Sequence, residues 1–590
     1  MPDLVDAMSV SDTPNRKSAS TRADCPAGVA VWLCILILCF SCALDLFFYS
    51  GFYASDDASY VAGARRILED GAFPRKPDLG QIRLTIVGWN TLIAWLFGYK
   101  IPLIAGSYIV FHQVLNLLTF ALARRMFGVV VGLFAMYFMA TAPLAVTFST
   151  AVLPDLPLSC FLVLSLLLFQ QGYDLRASGK SRRSLFMLFG AGLSVGFAYM
   201  AKEAALVALP FYLVLWLYRE KLREKQLALF AGAAFFLGVL VIFLAEWAVL
   251  SHLTGHSYIR MGWTAGADDV TSGLREYHYG RYPQERLEAV HQNLRPWFVN
   301  TRLDLFLLAA AVVYPFLRGR GMSVWWLAVW FFVYHTWGST KFTEYLPPSL
   351  QPRYFTPLLP LLFAMYSFVI ARILLAVPKV IPAADPRKAL QTLLIIVLLI
   401  HPLLDLHTSD RMAGKIYAAD MVNTSTRAVR AAARAGGRPI VLSGTLSNRA
   451  LPILSRLGIE SVVTAKECRS SGVGVSELLR DGFYYVELYP IDKLQRIKRP
   501  DGLDALVHPL LVTAFDEEDA WTEPQRRRLG EVEIGGRRGV LRGLGRFDSW
   551  HKRTEHVAHV ITPLARRRPD RGAWATYLYE WTPLTGGGIP

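Results

Sequence analysis

The sequence predicts a polytopic α-helical membrane protein with a smaller α/β domain at its C-terminal end. Three observations carry this reading. The 590 residues are 53% hydrophobic, with 34 Phe, 25 Tyr and 15 Trp. The apolar residues recur in runs long enough to cross a bilayer, which a soluble core does not require. Many of the basic residues behind the formal net charge of +16 fall in short hops between those runs, which is membrane topology rather than a nucleic-acid footprint. After about residue 403 the apolar runs shorten, and Gly, Arg, Asp and Glu become frequent.

Residues 1–28 are polar and rich in Ser, Thr and Asp, and read as a disordered cytoplasmic tail. The first span, 29–49, is too long for a signal-peptide core and is expected to be retained. In the outer segment 50–83, residues 58–68 place Val61, Ala64, Ile67 and Leu68 against Arg65, Arg66 and Glu69. That spacing predicts an amphipathic helix on the membrane surface. The apolar run 84–97 is short, so it is re-entrant or interfacial. Further spans are expected at 101–123, 128–148, 156–172, 185–200, 203–218, 227–250, 304–318, 323–337, 353–375 and 388–403, for about eleven in all.

With the N-terminus inside and 84–97 not crossing, every short inner loop is basic. Arg124 and Arg125, then Arg176, Lys180, Arg182 and Arg183, then Arg219 to Lys225, then Arg318 and Arg320, and finally Lys379, Arg387 and Lys388 all fall inside. The domain expected over 29–403 then presents outer loops 50–83, 251–303 and 338–352, and residues 404–590 form an extracytoplasmic α/β domain. Strands are expected at 439–443, 461–464, 483–488 and 510–513, with a helix at 450–457. This domain either caps the membrane part or recognises an acceptor. None of the six Cys stands at a metal-ligand spacing with His, which argues against a zinc finger.

The residues able to carry chemistry lie at the outer ends of spans. Asp56 and Asp57 follow the first span; one reading is a solvated helix cap, the other a general base beside a residue that holds a metal or a cation. Asp155, in Leu153-Pro154-Asp155-Leu156-Pro157, sits in a stiff turn at a helix entry. Asp57 and Asp155 with phosphate oxygens would suit a hard divalent cation, with Mg, Mn and Zn all open. Lys202 and Glu203 break an apolar stretch and either neutralise each other or face a phosphate. Arg353 and Tyr354 open a span after a Pro-rich loop, where an anion held by the Arg and by free backbone N–H groups would offset the unfavourable helix dipole. Tyr60, Arg83, Tyr258, Arg260 and Lys341 complete the candidate substrate-binding set. There is no Walker sequence, dinucleotide fingerprint or nucleophile elbow. A polyprenyl phosphate removes the need for nucleotide chemistry, because it anchors a sugar in the membrane and supplies a phosphate leaving group.

Over residues 29–403 the chain resembles the polytopic GT-C glycosyltransferases, in particular the bacterial branch related to protein O-mannosyltransferases and to the aminoarabinose (ArnT-like) transferase of lipid A. The resemblance rests on the order of Asp56-Asp57-Ala58-Ser59-Tyr60, the stretch from Trp89 to Gly98, Ala123-Arg124-Arg125-Met126-Phe127-Gly128, Leu153-Pro154-Asp155-Leu156-Pro157-Leu158, Ala201-Lys202-Glu203 and Pro352-Arg353-Tyr354. It implies that Asp56 is the acceptor-activating base, that Asp57 is its acidic neighbour, and that Asp155 lies near donor phosphate and metal. It also implies that Lys202 and Arg353 bind the phosphate. The implied reaction moves a sugar from a polyprenyl monophosphate to an extracytoplasmic acceptor with inversion, and the acceptor is a glycolipid, a cell-envelope glycan or a protein. The implied setting is the bacterial inner membrane, as a multi-pass monomer among membrane lipids, with no nucleic-acid partner. The family's Lys-Pro-Pro-Leu is absent; Ile82-Arg83-Leu84-Thr85-Ile86 stands there, which offers Arg83 as the replacement cation. Two other classes fit less well. A lipid-linked phosphoryl transferase needs a nucleophile and a metal-rich soluble domain. A flippase or transporter places its charges at mid-membrane, often in repeats.

Overall fold

The protein is described by a computed structural model that covers residues 26–49, 51, 56–69, 71, 73, 77, 80–220, 225–257, 259–260, 309–317, 322–339, 352–380, 384–408, 427–435, 438–442, 462–464, 478, 481, 483–489, 528–534, 537–548 and 575–583. The chain forms two compact units, one of residues 1–49 and 59–412, the other of residues 50–58 and 413–590.

The first unit is helical. Its elements are α1 (Ala27–Phe47), most of α2 (Asp56–Glu69), α3 (Leu84–Phe97), α4 (Ile101–Gly106), α5 (Ile109–Phe127), α6 (Val129–Thr141), α7 (Pro143–Phe148), α8 (Asp155–Ala177), α9 (Ser181–Ala201), α10 (Ala208–Glu220), α11 (Lys225–Thr254), α12 (Met322–Trp337), α13 (Leu359–Val380) and α14 (Ala384–Thr408). Among the described residues six stretches are long and apolar enough to cross a membrane: Ala27–Phe47, Ile101–Phe127, Asp155–Ala177, Ser181–Ala201, Leu229–Thr254 and Arg353–Val377. Four shorter apolar helices join them: Leu84–Phe97, Val129–Thr141, Glu203–Leu217 and Lys388–Leu403. The protein is thus a polytopic, mostly α-helical membrane protein. Large apolar side chains on the outside of the unit, such as Trp32, Leu36, Trp95 and Phe186, form the kind of broad apolar surface that a soluble monomer avoids and lipid covers.

Several expected spans are interrupted. The run 101–123 is divided at Ser107-Tyr108 into α4 and α5. The run 128–148 breaks at Ala142, because Pro143 forces its predecessor into an extended conformation and then starts α7. The run at 353 opens as a 3-10 turn, Pro352–Leu358, with Pro357 inside it. Of the run 304–318 only 309–317 is described.

The helix hairpin α8–α9 is the centre of the unit. Gly179, at φ +77°, turns the chain between the two helices in a backbone region that L side chains rarely adopt. On its other face α9 meets α11 at backbone distance. A Cβ on Gly192 would collide with the carbonyl of Phe235, and one on Gly238 with the carbonyl of Phe189. Small residues are what let two membrane helices approach so closely. At the other side of the unit, polar side chains tie α1 to α5. Asp45 accepts from His112 Nδ1 at 2.9 Å and from Gln113 Nε2 at 2.9 Å, and Asn116 Nδ2 donates to Ser41 Oγ at 2.9 Å. Asp45 and His112 are both fully buried, and such groups in an apolar domain persist only when paired.

The second unit contains a mixed six-stranded sheet with the order β2-β1-β3-β6-β5-β4. Its strands are β1 (Ile440–Leu442), β2 (Val462–Thr464), β3 (Phe483–Tyr489), β4 (Arg528–Ile534), β5 (Arg537–Asp548) and β6 (Ala575–Pro583). The β1 strand pairs parallel with both β2 and β3, and the other three strands add antiparallel. Three of the expected strands coincide with β1, β2 and β3. The expected strand at 510–513 and the helix at 450–457 lie outside the described residues. In the antiparallel half, β4 and β5 are rich in Arg and Gly rather than in β-branched residues and carry little strand signal, whereas β6, with Thr576, Tyr577, Tyr579, Trp581 and Thr582, carries a strand pattern that could have marked it.

Candidate functional site

The site is built where helices of the first unit start or break. Asp155 is the first residue of α8, after Pro154. A carboxylate there is favoured by the helix dipole, and the proline presets the turn. Lys202 closes α9 in an extended conformation (φ −161°, ψ 136°), and Glu203 begins a 3-10 turn, Glu203–Val207. At that break Lys202 reaches Asp155, and Glu203 reaches Arg83 and Arg260. Arg83 is the residue before α3. Arg353 and Tyr354 lie in the 3-10 turn ahead of α13.

These ends meet in an ion-paired cluster. Lys202 Nζ donates to Asp155 Oδ1 at 2.6 Å and stands 3.7 Å from the centroid of the Tyr354 ring. Arg353 approaches the same ring, at 5.3 Å. Asp155 is fully buried, and its Oδ2 has no hydrogen-bond partner among the described residues. Glu203 accepts from Arg83 Nη2 at 3.0 Å and from Arg260 Nη2 at 3.0 Å. Arg83 also donates to the hydroxyl of Tyr60. Arg260 donates to the carbonyl of Tyr199 at 2.6 Å, lies over the Tyr199 ring, and pairs with Glu246. This last pair lines a small cleft whose other walls include Phe243, Trp247, Leu250 and Ile259.

Electrostatics follow from burial. The Lys202 ammonium is pushed down to about 8, first by burial and further by the cations Arg353 and Arg83, with Asp155 working the other way. Burial also opposes the charge on Arg83, but Glu203 and Tyr60 outweigh it and hold the guanidinium above its usual range. Among the described residues the cluster therefore offers four cations, Arg83, Lys202, Arg260 and Arg353, against three carboxylates, Asp155, Glu203 and Glu246. Such a set suits an anion that spreads charge over several oxygens.

Among the described residues no three His, Cys, Asp or Glu come together to hold a metal ion. One oxygen of Asp155, an expected metal ligand, accepts from the Lys202 ammonium. Asp57, the other expected ligand, is fully buried in the first turn of α2, and Asp56 starts that helix. Both lie in residues 50–58, grouped with the second unit. Of the other expected site residues, Tyr60, Arg83, Lys202, Glu203, Arg260, Arg353 and Tyr354 come together around Asp155 and Glu203. Tyr258 and Lys341 lie outside the described residues. Glu246 escaped sequence reading, although it is the one charged residue of Leu229–Thr254, and an acid in an apolar span is a functional signal in its own right.

Residues 89–247 match the family described as dolichyl-phosphate-mannose-protein mannosyltransferase. No curated protein sequence matches the chain. Among solved structures, ArnT from Cupriavidus metallidurans in the apo state is 13% identical, with a TM-score of 0.46 over 87% of this chain and 98% of that one. The same enzyme bound to undecaprenyl phosphate is 13% identical, with a TM-score of 0.43 over 79% and 95%. The Archaeoglobus fulgidus oligosaccharyltransferase, in complex with Zn and sulfate, is 13% identical, with a TM-score of 0.43 over 75% and 69%.

Proposed function

We propose, on the premise that this chain is a polyprenyl-phosphate-dependent GT-C glycosyltransferase, akin to the mannosyltransferases matched by residues 89–247, that it transfers a sugar to an extracytoplasmic acceptor with inversion. The observation that supports this most is the knot of four cations around Asp155 and Glu203 in an apolar helical domain. It provides phosphate binding without any nucleotide-binding loop.

In the proposed reaction Asp56 takes the proton from an acceptor hydroxyl or amine. The acceptor atom bonds to the anomeric carbon on the face opposite the phosphate. The bond from that carbon to the phosphate oxygen breaks, and the electron pair leaves with the phosphate. One displacement inverts the centre. The leaving group needs no acid, only preorganised cations, and Lys202, Arg83, Arg260 and Arg353 fill that role. Tyr60 and Tyr354 orient Arg83 and Lys202. Asp155 holds Lys202 in place and leaves Oδ2 to accept a hydrogen bond from the sugar. No step requires a metal. The proposed topology keeps the N-terminus inside, about eleven spans, and the catalytic face and residues 404–590 outside. The acceptor is a glycolipid, an envelope glycan or a protein.

The test is transfer by purified protein from a panel of radiolabelled polyprenyl-phosphate sugars to a membrane lipid and glycan extract, with wild type beside Asp56→Asn. Label should reach an extract component with wild type, and at least about a hundredfold more slowly with the variant. Equal transfer by both would remove Asp56 as base. Folded wild-type protein that neither binds nor transfers from any donor would refute the assignment.

A further inference from the structure

Glu246 has no part in the reaction proposed above, yet it is buried within an apolar helix, near its C-terminal end, where an ionised group is costly unless paired. Its partner Arg260 is buried too. Arg260 pairs with Glu246 and Glu203, and Glu203 pairs in turn with Arg83. Among the described residues the result is a run in the order Glu246, Arg260, Glu203, Arg83, in which two guanidiniums face two carboxylates. Without Glu246 the run would carry one net positive charge.

That balance matters because the reaction changes the charge of the bound lipid. The donor is a phosphodiester with one negative charge. When the bond from the anomeric carbon to the phosphate oxygen breaks, the electron pair stays on the phosphate. The product is a phosphomonoester carrying about −1.5 to −2 at neutral pH. A pocket of uncompensated cations would hold the product more tightly than the donor and stall on it, since binding that favours the bound product does not speed turnover. We propose that Glu246 is a positioning residue that counter-charges Arg260, so that the site holds the lipid phosphodiester without trapping the phosphomonoester. This rests on the glycosyltransferase reading and adds a specificity determinant to the same site.

The test measures binding of undecaprenyl phosphate and of its methyl phosphodiester to detergent-purified wild type, Glu246→Gln and Glu246→Asp. Wild type should bind the two lipids within about threefold of each other. Glu246→Gln should shift the preference toward the monoester by about tenfold, the scale of one unscreened neighbouring charge. In turnover its kcat and donor KM should fall together, whereas simple damage to the pocket raises KM. Glu246→Asp keeps the charge and should restore the wild-type ratio. A wild-type preference for the monoester above about tenfold overturns the proposal, and this reading holds even if Glu246→Gln fails to fold. An unchanged ratio in Glu246→Gln also overturns it while leaving the donor reading in place. Wild-type protein that binds neither lipid overturns both.

Discussion

Substituting Asp155 by Asn keeps the shape of the side chain and removes the charge that faces Lys202 Nζ at 2.6 Å. Both residues are buried, and breaking a buried ion pair by removing one partner typically costs about 3–5 kcal/mol. Lys202 sets a ceiling, because it can give up its proton instead of remaining charged. From its ordinary 10.5, release at pH 7 costs about 5 kcal/mol. The sign of the pH effect follows. In the wild type Lys202 titrates at about 8 when folded and at 10.5 when unfolded, so the unfolded chain binds more protons between those values, and this group's contribution to stability rises with pH across that window. Asp155 holds the Lys202 ammonium up, so in Asp155→Asn the folded Lys202 should release its proton at lower pH and the rise should begin lower. Between pH 7 and pH 9 the deficit of the variant should therefore shrink by about 1.4 kcal/mol, one pH unit of titration. The assay is unfolding of detergent-purified protein followed by tryptophan fluorescence at the two pH values. A deficit that stays constant or widens with pH would refute the argument that burial of Lys202 and its pairing with Asp155 set the energy of this site.

Two further outcomes follow from the packing. Asp45→Asn strips the fully buried His112 of its carboxylate and should cost about 3 kcal/mol, while the double change Asp45→Leu with His112→Leu should recover most of the loss, read from the same unfolding assay. Gly192→Ala puts a Cβ into the carbonyl of Phe235 and should destabilise by about 1–3 kcal/mol. Gly28→Ala, with nothing within 4 Å of the added atom, should stay within about 1 kcal/mol of wild type.

The helical character of the first unit follows from local properties. A run such as 29–49 is helical because an apolar chain in lipid must satisfy its own backbone groups, and the breaks at Pro143 and Pro357 follow from proline's missing donor and fixed φ. The amphipathic stretch 58–68 lies within α2, with Tyr60, Val61 and Ala64 buried and Arg65 bonded to Glu69 at 2.5 Å. Charged residues at the ends of apolar runs, Arg83, Asp155, Lys202, Glu203, Arg353, could be singled out individually, since each interrupts a hydropathy pattern. Their pairing could not. Arg83 and Glu203 are 120 positions apart, and Arg260 and Glu203 are 57 apart, so which cation meets which carboxylate depends on how α3, α8, α9 and α11 pack. The glycine contacts of Gly192 and Gly238 set part of that packing, yet in the sequence these two residues read only as breaks in an apolar run. Glu246 shows the same limit. The sequence by itself determined that an acid stands within an apolar helix long enough to cross a membrane, because residue type and hydropathy are local. Only the tertiary structure decided that this acid faces Arg260, 14 positions on, because the pair closes only when the chain turns back beyond the end of α11 at Thr254, and hydropathy does not encode that turn.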